Sequence, residues 1–147
     1  MYSFRKSKKG FTLIELMVVV AIIGVLALLG LRVYSGQQEK AKNAIIKANA
    51  GTIQTLIQAE LADSSTTSVT AMWNTSATGL AQTSGIHNPV SGGLQMTAPD
   101  DTDDAAAGEV WVTYIAVVGT TPDYFEINGR NAVDGGDVYT TSLTARR

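Results

Sequence analysis

The sequence contains no cysteine and only one histidine, His87. Without cysteine there is no disulfide and no thiolate nucleophile, and one histidine cannot form a zinc site of ordinary composition. No glycine-rich loop leads from a strand into a helix in the way that phosphate binding requires. The sequence therefore predicts a protein that is not an enzyme and whose loops are closed by packing, hydrogen bonds or a metal.

Charge is also scarce in one part of the chain. Residues 11–31 contain a single ionisable side chain, Glu15. As a helix this segment would be about 31 Å long, close to the ~30 Å hydrocarbon core of a bilayer. Four cations and no acidic residue precede it, which favours a cytoplasmic N-terminus; they are Arg5, Lys6, Lys8 and Lys9. We therefore predict a hydrophobic, membrane-spanning helix over residues 11–32.

Glu15 is the unusual residue of this segment, because an intramembrane carboxylate costs a few kcal/mol and is usually paired or functional. One interpretation is that its side chain simply reaches the membrane interface. The other interpretation is that Glu15 pairs with a cation. Cleavage after Gly10 would create one, the α-amino group of Phe11. That amine could belong to the same helix or to a neighbouring subunit. A secretory signal peptide fits less well, since Glu15 interrupts the apolar region and no small-x-small cleavage site follows.

The segment KGFTLIELMVVVAIIGVLA, residues 9–27, resembles the N-terminus of bacterial type IV pilins and type II secretion major pseudopilins. The resemblance covers roughly residues 5–50. It implies that residues 1–10 are a leader, that a prepilin peptidase cuts between Gly10 and Phe11, and that the new Phe11 amine is methylated. It also implies that Glu15 neutralises the amino terminus of an adjacent subunit during assembly.

The resemblance further implies an α+β pilin fold, in which a long N-terminal helix packs on a small antiparallel sheet. Residues 33–63 should form its amphipathic half and residues 64–147 the globular head. One face of the amphipathic half carries the predicted core residues Ile46, Ile53, Ile57 and Leu61. The predicted strands are Val110–Val118 as the central strand, Tyr124–Ile127 ended by an Asn128-Gly129 turn, Val138–Leu143, and an edge strand at Gly93–Thr97.

The chain departs from many members of this family near the end of the apolar run, where Arg32 stands in a region that often contains proline. Proline would remove a backbone donor and kink the helix, and arginine does neither. Gly24 and Gly30 each weaken a helix by roughly 1 kcal/mol relative to alanine. We therefore predict that any local stretching of the helix in a filament lies between these two glycines.

Residues 64–84 are rich in serine and threonine and predict an exposed loop, with Met72 and Trp73 packed inward. The triplet Asn74-Thr75-Ser76 fits the N-glycosylation pattern, so Asn74 is a candidate modification site. The alternative is an unmodified, solvated loop.

Two acidic clusters are candidate calcium sites, because calcium takes carboxylate and carbonyl oxygens. Asp134 and Asp137 flank two glycines and loosely resemble the calcium loop of major pseudopilins. The second cluster packs four aspartates into residues 100–104. The alternative for both is that the aspartates initiate solvated turns. No other cofactor is predicted.

The predicted function is that of a structural subunit, the major pilin of a type IV pilus. The precursor would sit in the inner membrane, and the processed chain would form an extracellular homopolymer with the help of the prepilin peptidase and the inner-membrane assembly machinery. Without residues 1–10 the chain has seven basic and thirteen acidic side chains, which disfavours nucleic acid as a partner. A major pseudopilin of a type II secretion system and a minor pilin acting as an adhesin or DNA-capture module remain alternatives.

Overall fold

The apolar run and the alanine-rich stretch after it form one helix, α1 (Leu13–Asp63), of 51 residues. The computed structural model describes residues 10–74, 79, 84–95, 106–117, 119, 122–133 and 136–146. The chain divides into two compact units, Met1–Gln37 and Gln38–Arg147. Gly24 and Gly30 are both helical in this structure; the predicted stretching concerns a filament and stays a prediction.

The part of α1 within the second unit buries one apolar stripe. Its fully or almost fully buried residues are Ile46, Ala50, Ile53, Ile57 and Leu61. Steps of three and four residues place these side chains on one face of a helix. The four predicted core residues are confirmed, and Ala50 completes the stripe. Ile45, one position away from the stripe, is 47% exposed.

Three strands form an antiparallel sheet in the order β1-β2-β3. They are β1 (Val110–Ile115), β2 (Tyr124–Gly129) and β3 (Leu143–Arg146). Alternate residues point to the same face of a strand, and one face of each strand supplies the residues that pack in the same core as the α1 stripe: Val110, Val112, Phe125, Ile127 and Ala145. The predicted α+β architecture, a long N-terminal helix on a small antiparallel sheet, is confirmed.

The prediction that the first strand is central was wrong, because β2 lies between β1 and β3 in the described sheet. The strand also ends at Ile115 rather than at Val118, and Val118 lies outside the described residues. The apolar residues on both faces have another explanation. The inner face packs in the core, while Trp111 on the outer face is 4% exposed and donates its indole N–H to Asp137 Oδ1 at 3.3 Å.

The predicted turn at Asn128-Gly129 was also wrong, because both residues belong to β2 and Gly129 pairs with Val110. Instead of initiating a turn, the side chain of Asn128 forms hydrogen bonds with backbone groups of Gly129 and Tyr139. Its Oδ1 accepts hydrogen bonds from the backbone N–H of Gly129 at 2.8 Å and of Tyr139 at 3.1 Å, and its Nδ2 donates to the Tyr139 carbonyl at 3.0 Å. A buried amide therefore has both its donor and its acceptor satisfied.

The same contacts explain why the third strand begins later than predicted. Asn128 engages both the N–H and the carbonyl of Tyr139, two groups that a strand ladder would otherwise use. β3 consequently runs over Leu143–Arg146 instead of Val138–Leu143. The predicted edge strand at 93–97 is reduced, within the described residues, to a single bridge between Leu94 and His87.

The segment predicted as a loop after α1 contains a second helix, α2 (Thr66–Asn74). Ser65 caps it, since its hydroxyl accepts a hydrogen bond from the N–H of Ser68 at 3.3 Å. Burial of Val69 anchors the helix to the core. Met72, predicted to pack inward, is instead 44% exposed, and nothing in the described residues tests the prediction for the side chain of Trp73.

Candidate processing and assembly site

The Gly10–Phe11 peptide bond lies outside the helix, because α1 begins at Leu13. Both residues are exposed, and Phe11 retains 90% of its accessible surface. A Cβ built on Gly10 would meet no atom within 4 Å. The fold of the described residues therefore gives no reason for glycine at this position, which leaves recognition by another protein as an explanation.

Thr12 and Glu15 form a reciprocal hydrogen-bonded cap at the start of α1. The Glu15 carboxylate accepts hydrogen bonds from the Thr12 backbone N–H at 2.9 Å and from the Thr12 hydroxyl at 2.8 Å. The Thr12 hydroxyl in turn accepts a hydrogen bond from the Glu15 backbone N–H at 3.3 Å. This geometry is a capping box, in which a threonine at the N-cap and a glutamate three residues later satisfy each other's backbone donors.

The cap gives Glu15 a partner within its own chain. The hydrogen bonds from the Thr12 backbone N–H and from the Thr12 hydroxyl reach the same carboxylate oxygen, Oε2. The positive end of the helix dipole also favours a carboxylate in the first turn. Thr12 was not among the partners predicted for Glu15, which were cations, although the spacing Thr-x-x-Glu before an apolar run is itself a capping-box signal.

The helix that follows this cap presents an uncovered apolar surface. Every large apolar side chain from Phe11 to Tyr34 is at least half exposed. The apolar part of α1 is long and hydrophobic enough to cross a membrane, and none of that part is buried in the chain. Exposed apolar surface of this size marks contact with a membrane or with another protein.

Asp137 is the one candidate calcium ligand that lies within the described residues. Asp137 pairs with Arg130, the guanidinium Nη1 lying 3.6 Å from its Oδ1, and also accepts the indole N–H of Trp111. Asp134 and the aspartates of residues 100–104 lie outside the described residues. Within the described part of the chain, no three histidine, cysteine or acidic side chains cluster in a way that could hold a metal ion.

The candidate glycosylation site, Asn74, is the last residue of α2. Thr75 and Ser76, which complete its motif, lie outside the described residues. Glycosylation of Asn74 therefore stays a prediction.

Comparisons with known proteins identify the N-terminal segment. Residues 5–31 match the model of the prokaryotic N-terminal methylation motif. The chain is 33% identical over 106 residues to a prepilin peptidase-dependent protein A of Clostridium perfringens, an alignment that covers 71% of this chain and 76% of the relative. The chain belongs to the family of type IV pilin-like proteins.

Two pilus proteins are similar over shorter stretches. The type IV major fimbrial protein FimA of Dichelobacter nodosus is 41% identical over 56 residues, which is 38% of this chain and 36% of the relative. The type IV major alpha-pilin of Moraxella bovis is 35% identical over 78 residues, covering 53% and 49% of the two chains. No solved structure matches the chain.

Membership of this family, together with the fold, makes the chain a structural pilin-like protein and not an enzyme. Its methylation motif implies processing by a prepilin peptidase. Its apolar N-terminal helix and its family indicate a membrane-bound precursor.

Proposed function

We propose that this pilin-like chain is the major subunit of a type IV pilus, cut between Gly10 and Phe11, methylated at Phe11 and polymerised through residues 11–31. The observation that carries the proposal is the uncovered apolar helix surface that begins with a capped carboxylate. In the precursor a bilayer covers this surface, and in a filament the same segments of neighbouring subunits cover one another.

In this proposal Glu15 fixes the position of each subunit along the helix of its neighbour. The amine created by cleavage needs an anionic partner once the helix N-terminus is buried among other helices, because an unpaired buried charge is costly. Thr12 engages one carboxylate oxygen of Glu15, and the second oxygen is the acceptor for the Phe11 amine of a neighbouring subunit. The partners of the chain are thus further copies of itself, the prepilin peptidase, the inner-membrane assembly machinery and, before assembly, the membrane.

The test is to express the full chain with a prepilin peptidase and a pilus assembly system, and to examine the cell surface by electron microscopy with an antibody against the head. We expect long labelled filaments whose subunits begin with methylated Phe11 in mass spectra. Short filaments seen only with an overproduced secretion system would favour a pseudopilin. Sparse labelling of filaments built from another subunit would favour a minor pilin, for which adhesion or DNA capture would be the next function to test.

A further inference from the structure

A single basic side chain marks the point where the apolar segment ends. Between Phe11 and Gln38 the sequence has one basic residue, Arg32, and one acidic residue, Glu15. Arg32 is exposed on α1, as are its neighbours Leu31 and Tyr34. None of the described ion pairs involves Arg32, so its guanidinium is available to a ligand outside the chain.

The spacing places Arg32 at the far boundary of a bilayer. From Leu13, where α1 begins, to Arg32 the helix rises about 29 Å, and Phe11 lies two residues earlier, so the span is close to the ~30 Å thickness of the hydrocarbon core. When Phe11 lies at the cytoplasmic boundary, Arg32 therefore lies at the opposite one, where the lipid phosphates begin. The long side chain of an arginine can extend from such a position toward the headgroups.

The chemistry of the neighbouring side chains fits the same boundary. The guanidinium of an arginine presents planar paired donors that match a phosphate. Tyr34, 65% exposed, is of the residue type enriched at membrane interfaces. The hydroxyl of Ser35 donates to the Arg32 carbonyl at 3.0 Å and so is satisfied within the helix. The first side chain after the apolar run that needs an external polar partner is thus Arg32.

We propose that Arg32 binds the phosphate headgroups of the outer leaflet of the inner membrane and thereby sets the depth of the processed subunit before assembly. This inference rests on the proposed function, because removal of residues 1–10 also removes the four cations that flank the apolar segment on its cytoplasmic side. Arg32 is then the remaining basic side chain beside the segment, and it resists sliding of the helix toward the cytoplasm, which would draw the guanidinium into hydrocarbon.

The absence of cysteine makes a direct depth measurement possible. A spin label on Leu31→Cys in the full processed chain, reconstituted in phosphatidylcholine vesicles, reports depth through its relative accessibility to oxygen and to a water-soluble nickel chelate. With Arg32→Gln we expect the label to move deeper by about one helical turn, roughly 5 Å. Arg32→Lys should restore most of the parent depth. Lys40→Gln, which removes the next cation along α1, should leave the depth unchanged.

Vesicles of a neutral galactolipid identify the ligand, because this lipid has no phosphate. There the parent label should lie deeper than in phosphatidylcholine but less deep than in Arg32→Gln, because hydrocarbon still excludes the guanidinium; free phosphate in the buffer should not restore its position. The proposal is overturned if Arg32→Gln has the parent depth in phosphatidylcholine, or if the parent depth is the same in both lipids. A processed chain that stays in the aqueous phase would instead contradict the membrane-bound precursor on which the inference rests.

Discussion

The carboxylate of Glu15 and the hydroxyl of Thr12 exchange hydrogen bonds in both directions at the first turn of α1. With the bond from the Thr12 backbone, the pair makes three contacts between 2.8 and 3.3 Å. The anionic side chain of the apolar segment is therefore already partnered in a single chain. In the proposed assembly, this arrangement would stabilise Glu15 at the end of a membrane helix before the amine of a neighbouring subunit binds it.

Replacing Thr12 by alanine should loosen the start of the helix. The loss of an N-cap side chain costs about 1 kcal/mol, with threonine and serine both able to act as caps. In detergent micelles we expect the amide protons of Glu15 and Leu16 to exchange about fivefold faster in Thr12→Ala than in the parent. Thr12→Ser should exchange at nearly the parent rate, since the hydroxyl is kept. Equal exchange rates in all three proteins would contradict the capping role.

Replacing Glu15 by alanine should separate processing from assembly. The Gly10–Phe11 bond lies outside the helix and should still be cut, but the new amine would lose its anionic partner. Leaving one charge of a buried pair alone costs about 3–5 kcal/mol. We therefore expect mass spectra to show a processed N-terminus while the yield of sheared filaments falls at least tenfold.

The matched control for that substitution is Glu39→Ala, which removes an exposed carboxylate from α1 well beyond the apolar segment. It should assemble like the parent. Normal filament yield from Glu15→Ala would rule out the pairing role, and uncut Glu15→Ala chains would place Glu15 in recognition by the peptidase instead.

Gly10→Val should block processing without disturbing the fold. No atom lies within 4 Å of a Cβ at this position, so a larger side chain has room in the chain itself. We expect only the precursor in mass spectra, together with a circular dichroism spectrum identical to that of the parent. Efficient cleavage of Gly10→Val would show that the peptidase does not need glycine before the cut.

The elements with a strong local pattern could be predicted from the sequence. The 3.6-residue repeat of Ile46, Ile53 and Ile57 allowed the core face of α1 to be assigned, and the structure buries all three. The membrane-length apolar run and the motif around Gly10 and Glu15 could also be predicted, because local composition and residue spacing are enough to define them. The family comparisons bear out the recognition of the methylation motif, while the roles of Gly10 and Glu15 stay predictions.

The boundaries that depend on contacts distant in sequence could not be predicted. Asn128 was predicted to be a turn residue, but its amide binds the backbone of Tyr139, eleven residues away. As a result β2 includes Asn128, and β3 begins later in the sequence than predicted. The helix α2 was hidden by its serines and threonines, which favour loops by composition. Burial of Val69 against the core and the cap from Ser65 favour a helix there.

Gly129→Ala should destabilise the head. A Cβ on Gly129 would collide with Cγ2 of Ile46 and lie 3.2 Å from Cγ2 of Val138. Because the branched isoleucine is stiff at χ1, the strand must shift, at a cost of about 1–3 kcal/mol. Thermal unfolding followed by near-ultraviolet circular dichroism in detergent should show a Tm lower by several degrees.

Gly51→Ala is the matched control for this change, since a Cβ there meets nothing within 4 Å and the residue is helical. It should stabilise α1 by up to about 1 kcal/mol and raise the Tm. The same glycine-to-alanine replacement thus has opposite signs at the two sites. A Tm for Gly129→Ala equal to that of the parent would contradict the close approach of β2 to α1.

The loop between β2 and β3 should keep its stability without calcium. Asp137 already lies beside the guanidinium of Arg130 and accepts the indole N–H of Trp111. Backbone hydrogen bonds from Asn131 N to Gly136 O at 2.7 Å and from Val138 N to Gly129 O at 2.8 Å also hold this loop. We therefore expect the same Tm in excess chelator and in millimolar calcium.

Asp137→Asn should lower the Tm equally in both solutions, because the amide cannot pair with Arg130. A calcium-dependent rise in the parent that disappears in Asp137→Asn would instead establish a calcium site here.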